Sequence, residues 1–142
     1  MIEVPVNYLA VVVAAVANMA VGFAWFGPLF GKMWISMMGW TAQHMEEAKK
    51  KSMAKTYAIA FVGSLLTAYV LSHLIVFAAS YMQTNGVSVG LSTAFWIWLG
   101  FVVPLLLSMV LWEGKPWKLY FLNVSYYIVS LLVMGAIIAA WK

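Results

Sequence analysis

The sequence predicts an all-α integral membrane protein: a bundle of four transmembrane helices, with an interfacial and cytoplasmic helical segment between the first and the second. Three observations lead there. Of the 142 residues, 65% are hydrophobic and only 8% charged. A soluble domain carries roughly 25% charged residues, so this chain lacks the polar groups to cover a water-facing surface. The eight basic and four acidic side chains fall into clusters that leave three long uncharged stretches, 4–31, 56–112 and 119–141. The apolar runs are unbroken rather than alternating, which excludes a transmembrane β-barrel and requires helices to satisfy the backbone within lipid.

A helix needs about 20 apolar residues to cross a hydrocarbon core of about 30 Å. The first and third uncharged stretches therefore hold one span each. The middle one holds two, broken at Gln83-Thr84-Asn85-Gly86, where the Asn-Gly pair favours a turn. Spans are expected at 6–27, 56–79, 91–112 and 117–140, in a single domain over 1–142. The first is expected to stay in the mature protein, since residues 1–8 hold Glu3 and no lysine, unlike the basic start of a signal peptide. Pro28 is expected to end that span, because a residue before proline is pushed out of the helical region.

Between the first two spans, 29–40 mixes Phe30, Met33, Trp34, Ile35, Met37, Met38 and Trp40 with one lysine, the pattern of an interfacial helix. From Thr41 as N-cap, 42–54 reads as helix, with Glu46 to Lys50 and Glu47 to Lys51 in the favoured i to i+4 order. In the third span, Pro104 is expected to kink the helix and free a carbonyl. Pro116 is a good first residue for the fourth span. The Glu113-Gly114-Lys115-Pro116 link allows only a tight turn, so the last two spans form an antiparallel hairpin.

Lysine bias sets the orientation. The first inter-span loop carries Lys32, Lys49, Lys50, Lys51 and Lys55, and the third carries Lys115 and Lys118. Both loops are expected in the cytoplasm, with both termini outside and only Lys142 on that side. The five lysines of the first loop are the candidates to face anionic lipid headgroups or a partner, or are simply a solvated, positive-inside face. All basic charge is lysine and there is no arginine, the residue suited to bidentate phosphate or carboxylate clamps. The absence of cysteine removes disulfides, thiolate metal sites and thiol nucleophiles.

A family resemblance adds to this reading. It is carried by Gly22-Phe23-Ala24-Trp25-Phe26-Gly27-Pro28-Leu29-Phe30-Gly31-Lys32-Met33-Trp34, by Trp98-Leu99-Gly100-Phe101, by Glu113-Gly114-Lys115-Pro116-Trp117-Lys118-Leu119, and by Asn123, Tyr126-Tyr127 and Met134-Gly135-Ala136-Ile137. Over nearly its whole length the chain resembles the small bacterial membrane proteins called domain of unknown function 1761. That resemblance implies four helices in a bacterial plasma membrane and brings no catalytic residue.

Polar side chains in lipid turn to the bundle interior or a cavity, so they are the functional candidates. At about 1.5 Å per residue, Asn18 lies roughly 16 Å from the outer start of its span, and Ser64 and Tyr127 each roughly 13 Å from the inner starts of theirs. These three share the midplane. With Thr67, and with the carbonyl freed by Pro104, they are expected to form a polar cluster that lines a solute path or ties helices together at about 0.6 kcal/mol per contact. Asn123, Tyr126, Tyr127, Ser130 and Met134 share one side of the fourth span, and Asn123 is added to the pathway candidates. Histidine is the side chain whose ordinary charge change falls near neutral pH, and His73 has Tyr69 one turn before it. It stands about 27 Å along the helix from Lys55, near the outer boundary, where it is a pH-sensitive candidate or an interfacial hydrogen-bonding residue.

Ala10, Ala14, Asn18 and Gly22 recur every four residues, a small-residue stripe that marks a helix contact within or between subunits. Met33 and Met37, near Met38, His44, Met45 and Met53, have the soft donors that suit Cu(I), but methionine is equally a filler of apolar surfaces, and no metal site is assigned. No HExxH, phosphate loop, intramembrane carboxylate pair or nucleophile elbow occurs, so no enzyme and no cofactor are expected. Neither is a nucleic-acid partner. Four spans make a bundle too narrow to enclose a wide path alone. The first expectation is thus a homo-oligomeric channel or transporter for a small solute or ion, assembled through the Ala10 stripe and Trp96, Trp98 and Trp112 among membrane lipids. The alternative is a non-transporting module that binds lipid or a partner protein through 30–55.

Overall fold

A computed structural model describes residues 5–39, 41–50 and 53–141. The first span is α1 (Tyr8–Ala24) continued by a wide π-helical turn, Trp25–Leu29. Asn7 caps it, its Oδ1 accepting from the Ala10 amide at 3.2 Å while its Nδ2 donates to the Trp141 carbonyl at 3.0 Å, which ties the two ends of the chain together. Pro28 does not end the span. It sits inside the π-helical turn, where the Phe30 amide reaches back five residues to the Trp25 carbonyl at 2.9 Å. Opening the turn by one residue accommodates a proline that a tight helical ladder would reject.

Two short helices fill the link between the first and second spans. α2 (Gly31–Met38) packs against the π-helical turn and the fourth span. α3 (Ala42–Lys50) starts from the expected cap: Thr41 Oγ1 accepts from the His44 amide, and the Thr41 amide donates to His44 Nδ1 at 3.2 Å. Histidine fills the place that glutamate takes in a capping box. The second span, α4 (Met53–Met82), is 30 residues long and overruns its expected limits at both ends. The break after it falls where Asn-Gly placed it, with Gly86 at a φ of 113° that only glycine adopts freely.

The third span runs over Val87–Leu111 and starts four residues earlier than expected. It is the irregular one: α5 (Val87–Ile97), a second π-helical turn Trp98–Val102, a 3₁₀ turn Leu105–Leu107 and α6 (Ser108–Leu111). Both π-helical turns open on tryptophan, and Pro104 follows the second by two residues. After a tight turn with Gly114 at φ 70°, α7 (Trp117–Ala140) covers the expected fourth span; Pro116 is its extended cap rather than its first helical residue.

Among the described residues, four helices are long and apolar enough to cross a membrane. They form a ring in which α1 packs on α4, α4 on α5, α5 on α7 and α7 on α1. The tightest crossing is between α5 and α7. A Cβ added at Gly90 would stand 2.2 Å from the Gly135 carbonyl oxygen, and one added at Gly135 would stand 2.6 Å from that of Gly90. Gly90 with Ala94, and Gly135 with Ala139, provide the small faces that let the backbones touch.

The shared core occupies one half of the bundle. Val11, Leu71, Ile75, Val89, Met134 and Ile138 belong to it, and they come from the start of α1 and α5 and the end of α4 and α7. The opposite half holds both π-helical turns and is looser. From Ala54 to Ala60 every residue of α4 is exposed, and Ser64 is its first buried one. The sequence-derived small-residue stripe faces inward: Ala10 and Ala14 are fully buried within the chain.

Candidate functional site

Asn18 lies on α1 where the close core gives way to the looser half, and it engages two other helices. Its Nδ2 donates to Ser64 Oγ of α4 at 2.7 Å. Its Oδ1 accepts from Ser130 Oγ and from the Tyr126 hydroxyl of α7, the latter at 3.4 Å. Ser64 and Ser130 are buried. A carboxamide offers two donors and two acceptor lone pairs, so the amide is spent on its neighbours except for one Nδ2 proton.

This junction closes one end of a cleft of about 480 Å³ between α1, α4 and α7. Met19, Gly22 and Phe23 of α1, with Phe26 of the π-helical turn, form one wall, and Thr56, Ala60, Gly63 and Thr67 of α4 the other. Tyr126 and Tyr127 of α7 complete it. Phe23 and Tyr57 meet edge to face at 5.3 Å near its wide end, and Phe26 meets Tyr126 in the same way at 5.0 Å. The cleft exists because α4 turns to the core only from Ser64 onward, leaving its first three turns standing off α1. Among the described residues, no charged side chain lines it. Its polar groups are hydroxyls and one amide, in a wall that is otherwise aromatic and aliphatic.

The expected polar cluster is thus present with altered membership. Asn18 and Ser64 are joined directly, whereas Thr67 and Tyr127 line the cleft without joining the hydrogen-bonded junction. Tyr126 and Ser130, noted in the sequence only as part of a stripe, hold the positions assigned to Tyr127. One residue of helix rotates a side chain by about 100°, and depth along the axis carries no information about that rotation. Asn123 is elsewhere, its Nδ2 donating to Met109 Sδ of α6 at 3.7 Å. Beside Pro104, Tyr120 donates its hydroxyl to the Val103 carbonyl at 2.8 Å, and Trp98 Nε1 donates to the Val124 carbonyl of α7 at 2.8 Å. Trp98 is therefore committed to α7 and is no outward-facing anchor, unlike Trp96 and Trp112, which are 65% and 85% exposed.

His73 hydrogen bonds through Nδ1 to the Tyr69 carbonyl one turn earlier at 2.9 Å, and its ring sits between those of Tyr69 and Phe77. It takes no part in the Asn18 junction. Lys32 and Lys55 are exposed; the side chains of Lys49 and Lys50, and the whole of Lys51, lie outside the described residues, as do Glu3, Trp40 and Lys142. The ion pairs expected of Lys50 and Lys51 fall there too. Beside the cleft, the Trp25 ring packs on Phe30 at 4.7 Å, and its indole N–H is buried without a hydrogen-bond partner among the described residues.

Among known protein families, the group described as a protein of unknown function, DUF1761, matches residues 9–139. No curated protein matches the chain, and no solved structure does.

Proposed function

The chain belongs to the DUF1761 family, a group of unknown function, and we propose that it is a multi-pass bacterial plasma-membrane protein that binds a small uncharged molecule in the cleft ending at Asn18. One observation carries this reading: a cleft of about 480 Å³, the size of ordinary ligand pockets, ends on a fixed amide and has no charged side chain among the described residues that line it. An ion taken from water into such a site would lack a compensating partner. The tightly packed half of the bundle closes the far end, so a single chain offers a binding site rather than a pore. The lysine bias supports placing the open half toward the cytoplasm, with both termini outside.

Gly63 gives the test. Gly63 lines the cleft and a Cβ there meets nothing within 4 Å, so a larger side chain starts from the cleft wall without a clash at its first carbon. Gly63→Phe and the native protein are purified in mild detergent from bacterial membranes, and their organic extracts compared by mass spectrometry. An uncharged compound near stoichiometric in the native extract and lost from G63F is the expected result; matching extracts would refute the reading.

A one-sided cleft is also the form that an alternating-access carrier shows in one of its states, which favours a second reading, a homo-oligomeric transporter for an uncharged solute. Its assembly rests on Trp96 and Trp112, since the alanine stripe is used within the chain. Glycerol or urea flux into proteoliposomes, absent from empty vesicles and lost in G63F, supports it; equal flux with and without protein opposes it.

A further inference from the structure

Every described residue that lines the cleft lies within a spanning helix: those of the first span within Tyr8–Leu29, those of α4 within Ala54–Met82, and those of α7 within Trp117–Ala140. None comes from α2, α3 or a turn. The walls at the mouth, Phe23, Ala60, Gly63 and Tyr127, are exposed on the lipid-facing flank of the bundle. A molecule reaching this site therefore comes from the hydrocarbon phase and must be soluble there.

Its polar requirement follows from what the junction leaves unused. Asn18 has one uncommitted Nδ2 proton, and the hydroxyls of Thr67, Tyr57 and Tyr127 have no hydrogen-bond partner among the described residues. In lipid these groups lack water as a substitute partner, and a ligand oxygen that accepts from one and donates to another satisfies both. The remainder of the wall is apolar, and the rings of Phe23, Phe26, Tyr57 and Tyr126 offer edges and faces for a ring to pack on.

We propose that the cleft receives, sideways from the bilayer, an uncharged amphipathic ring compound that places a hydroxyl or carbonyl oxygen on the free Asn18 amide proton and packs its ring against Phe23, Phe26 and Tyr57. This rests on the reading of the cleft as a ligand site and specifies the chemistry of its occupant.

The side-chain amides of asparagine supply a local reporter. The ¹⁵N-labelled full-length protein in lipid nanodiscs is titrated separately with four probes: benzyl alcohol, toluene, glycerol and benzyltrimethylammonium. Asn123, held by Met109 of α6 and two turns before Ser130 along α7, reports non-specific loading of the bilayer, and Asn18→Leu identifies the Asn18 signal. The expected result is a saturable shift of the Asn18 amide with benzyl alcohol while Asn123 stays still. Toluene, which lacks the hydroxyl, should bind about fivefold to tenfold more weakly, the ratio that one hydrogen bond supports. Glycerol and the ammonium probe should give no saturable shift.

Equal affinity for toluene and benzyl alcohol would overturn the proposed chemistry while leaving a ligand in the cleft. Saturation by glycerol would replace it with a water-soluble polyol. Parallel shifts at Asn18 and Asn123, or none at Asn18, would overturn it outright. If G63F also leaves the organic extract unchanged, the cleft itself is no ligand site.

Discussion

Asn18 and Ser64, 46 residues apart in sequence, are joined by a 2.7 Å hydrogen bond that fixes α1 to α4 at the level where the packed half of the bundle ends. The same amide accepts from Ser130 and Tyr126 of α7, so one side chain ties three spans. Asn18→Leu removes all three contacts and is expected to cost roughly 2 kcal/mol, at about 0.6 kcal/mol for each. A double-mutant cycle with Ser64→Ala should return a coupling of about 0.6 kcal/mol, and not above about 1.7. Reversible unfolding in bicelles measures both; a coupling of zero would show that the bond does not form.

Gly90 and Gly135 are expected to be the least replaceable glycines. Alanine at either puts a methyl group into the backbone of the facing helix, and overpacking of that kind costs about 1–3 kcal/mol or more. Gly63→Ala is the internal contrast: it meets nothing and should stabilise α4 by up to about 1 kcal/mol through helix propensity. Thermal unfolding of the three variants in one detergent checks the ordering.

The broken third span depends on Tyr120. Its hydroxyl is the donor to the Val103 carbonyl beside Pro104, and in lipid no water replaces it. Tyr120→Phe leaves that acceptor unpaired, with an expected loss of about 1–3 kcal/mol. Amide hydrogen exchange should rise over 98–107 before it rises in α1. Uniform exchange across all four spans would argue against a local role for this bond.

The Thr41 and His44 cap belongs to α3 alone. Thr41→Ala should therefore weaken that helix by about 1 kcal/mol, raising hydrogen exchange over 42–47, with the melting temperature of the bundle unchanged. A drop in that temperature would mean that α3 supports the spans.

Much of this architecture could be read from the chain because lipid simplifies the rules. Charge clusters and the Asn-Gly turn separated the spans, and the fixed rise of a helix set Asn18 and Ser64 at one level. Rotation about the helix axis was harder to read. Tyr126 and Tyr127 are equally polar and nearly equal in depth, and α7 has no strongly one-sided apolar pattern in lipid to say which one faces Asn18. Pro28 misled because the rule for residues before proline assumes a regular helix, and the π-helical turn at Trp25–Leu29 absorbs the proline instead. The Gly90 and Gly135 crossing did leave a signal: each has alanine four residues on, the same small-residue spacing that drew attention to Ala10 and Ala14. The cleft left none, since it arises from α4 standing away from α1, a relation between helices rather than a property of either.

The central claim is that the space ending at Asn18 is a ligand site open to the bilayer. A crystal structure of the native protein grown from a lipidic mesophase, with benzyl alcohol in the mesophase, tests it most directly. The expected result is non-protein density between α1 and α4, bounded by Phe23 and Gly63, with an oxygen within hydrogen-bonding distance of Asn18 Nδ2. Closure of Ala60 and Gly63 onto Met19 and Phe23, with Asn18 meeting only protein, would contradict it.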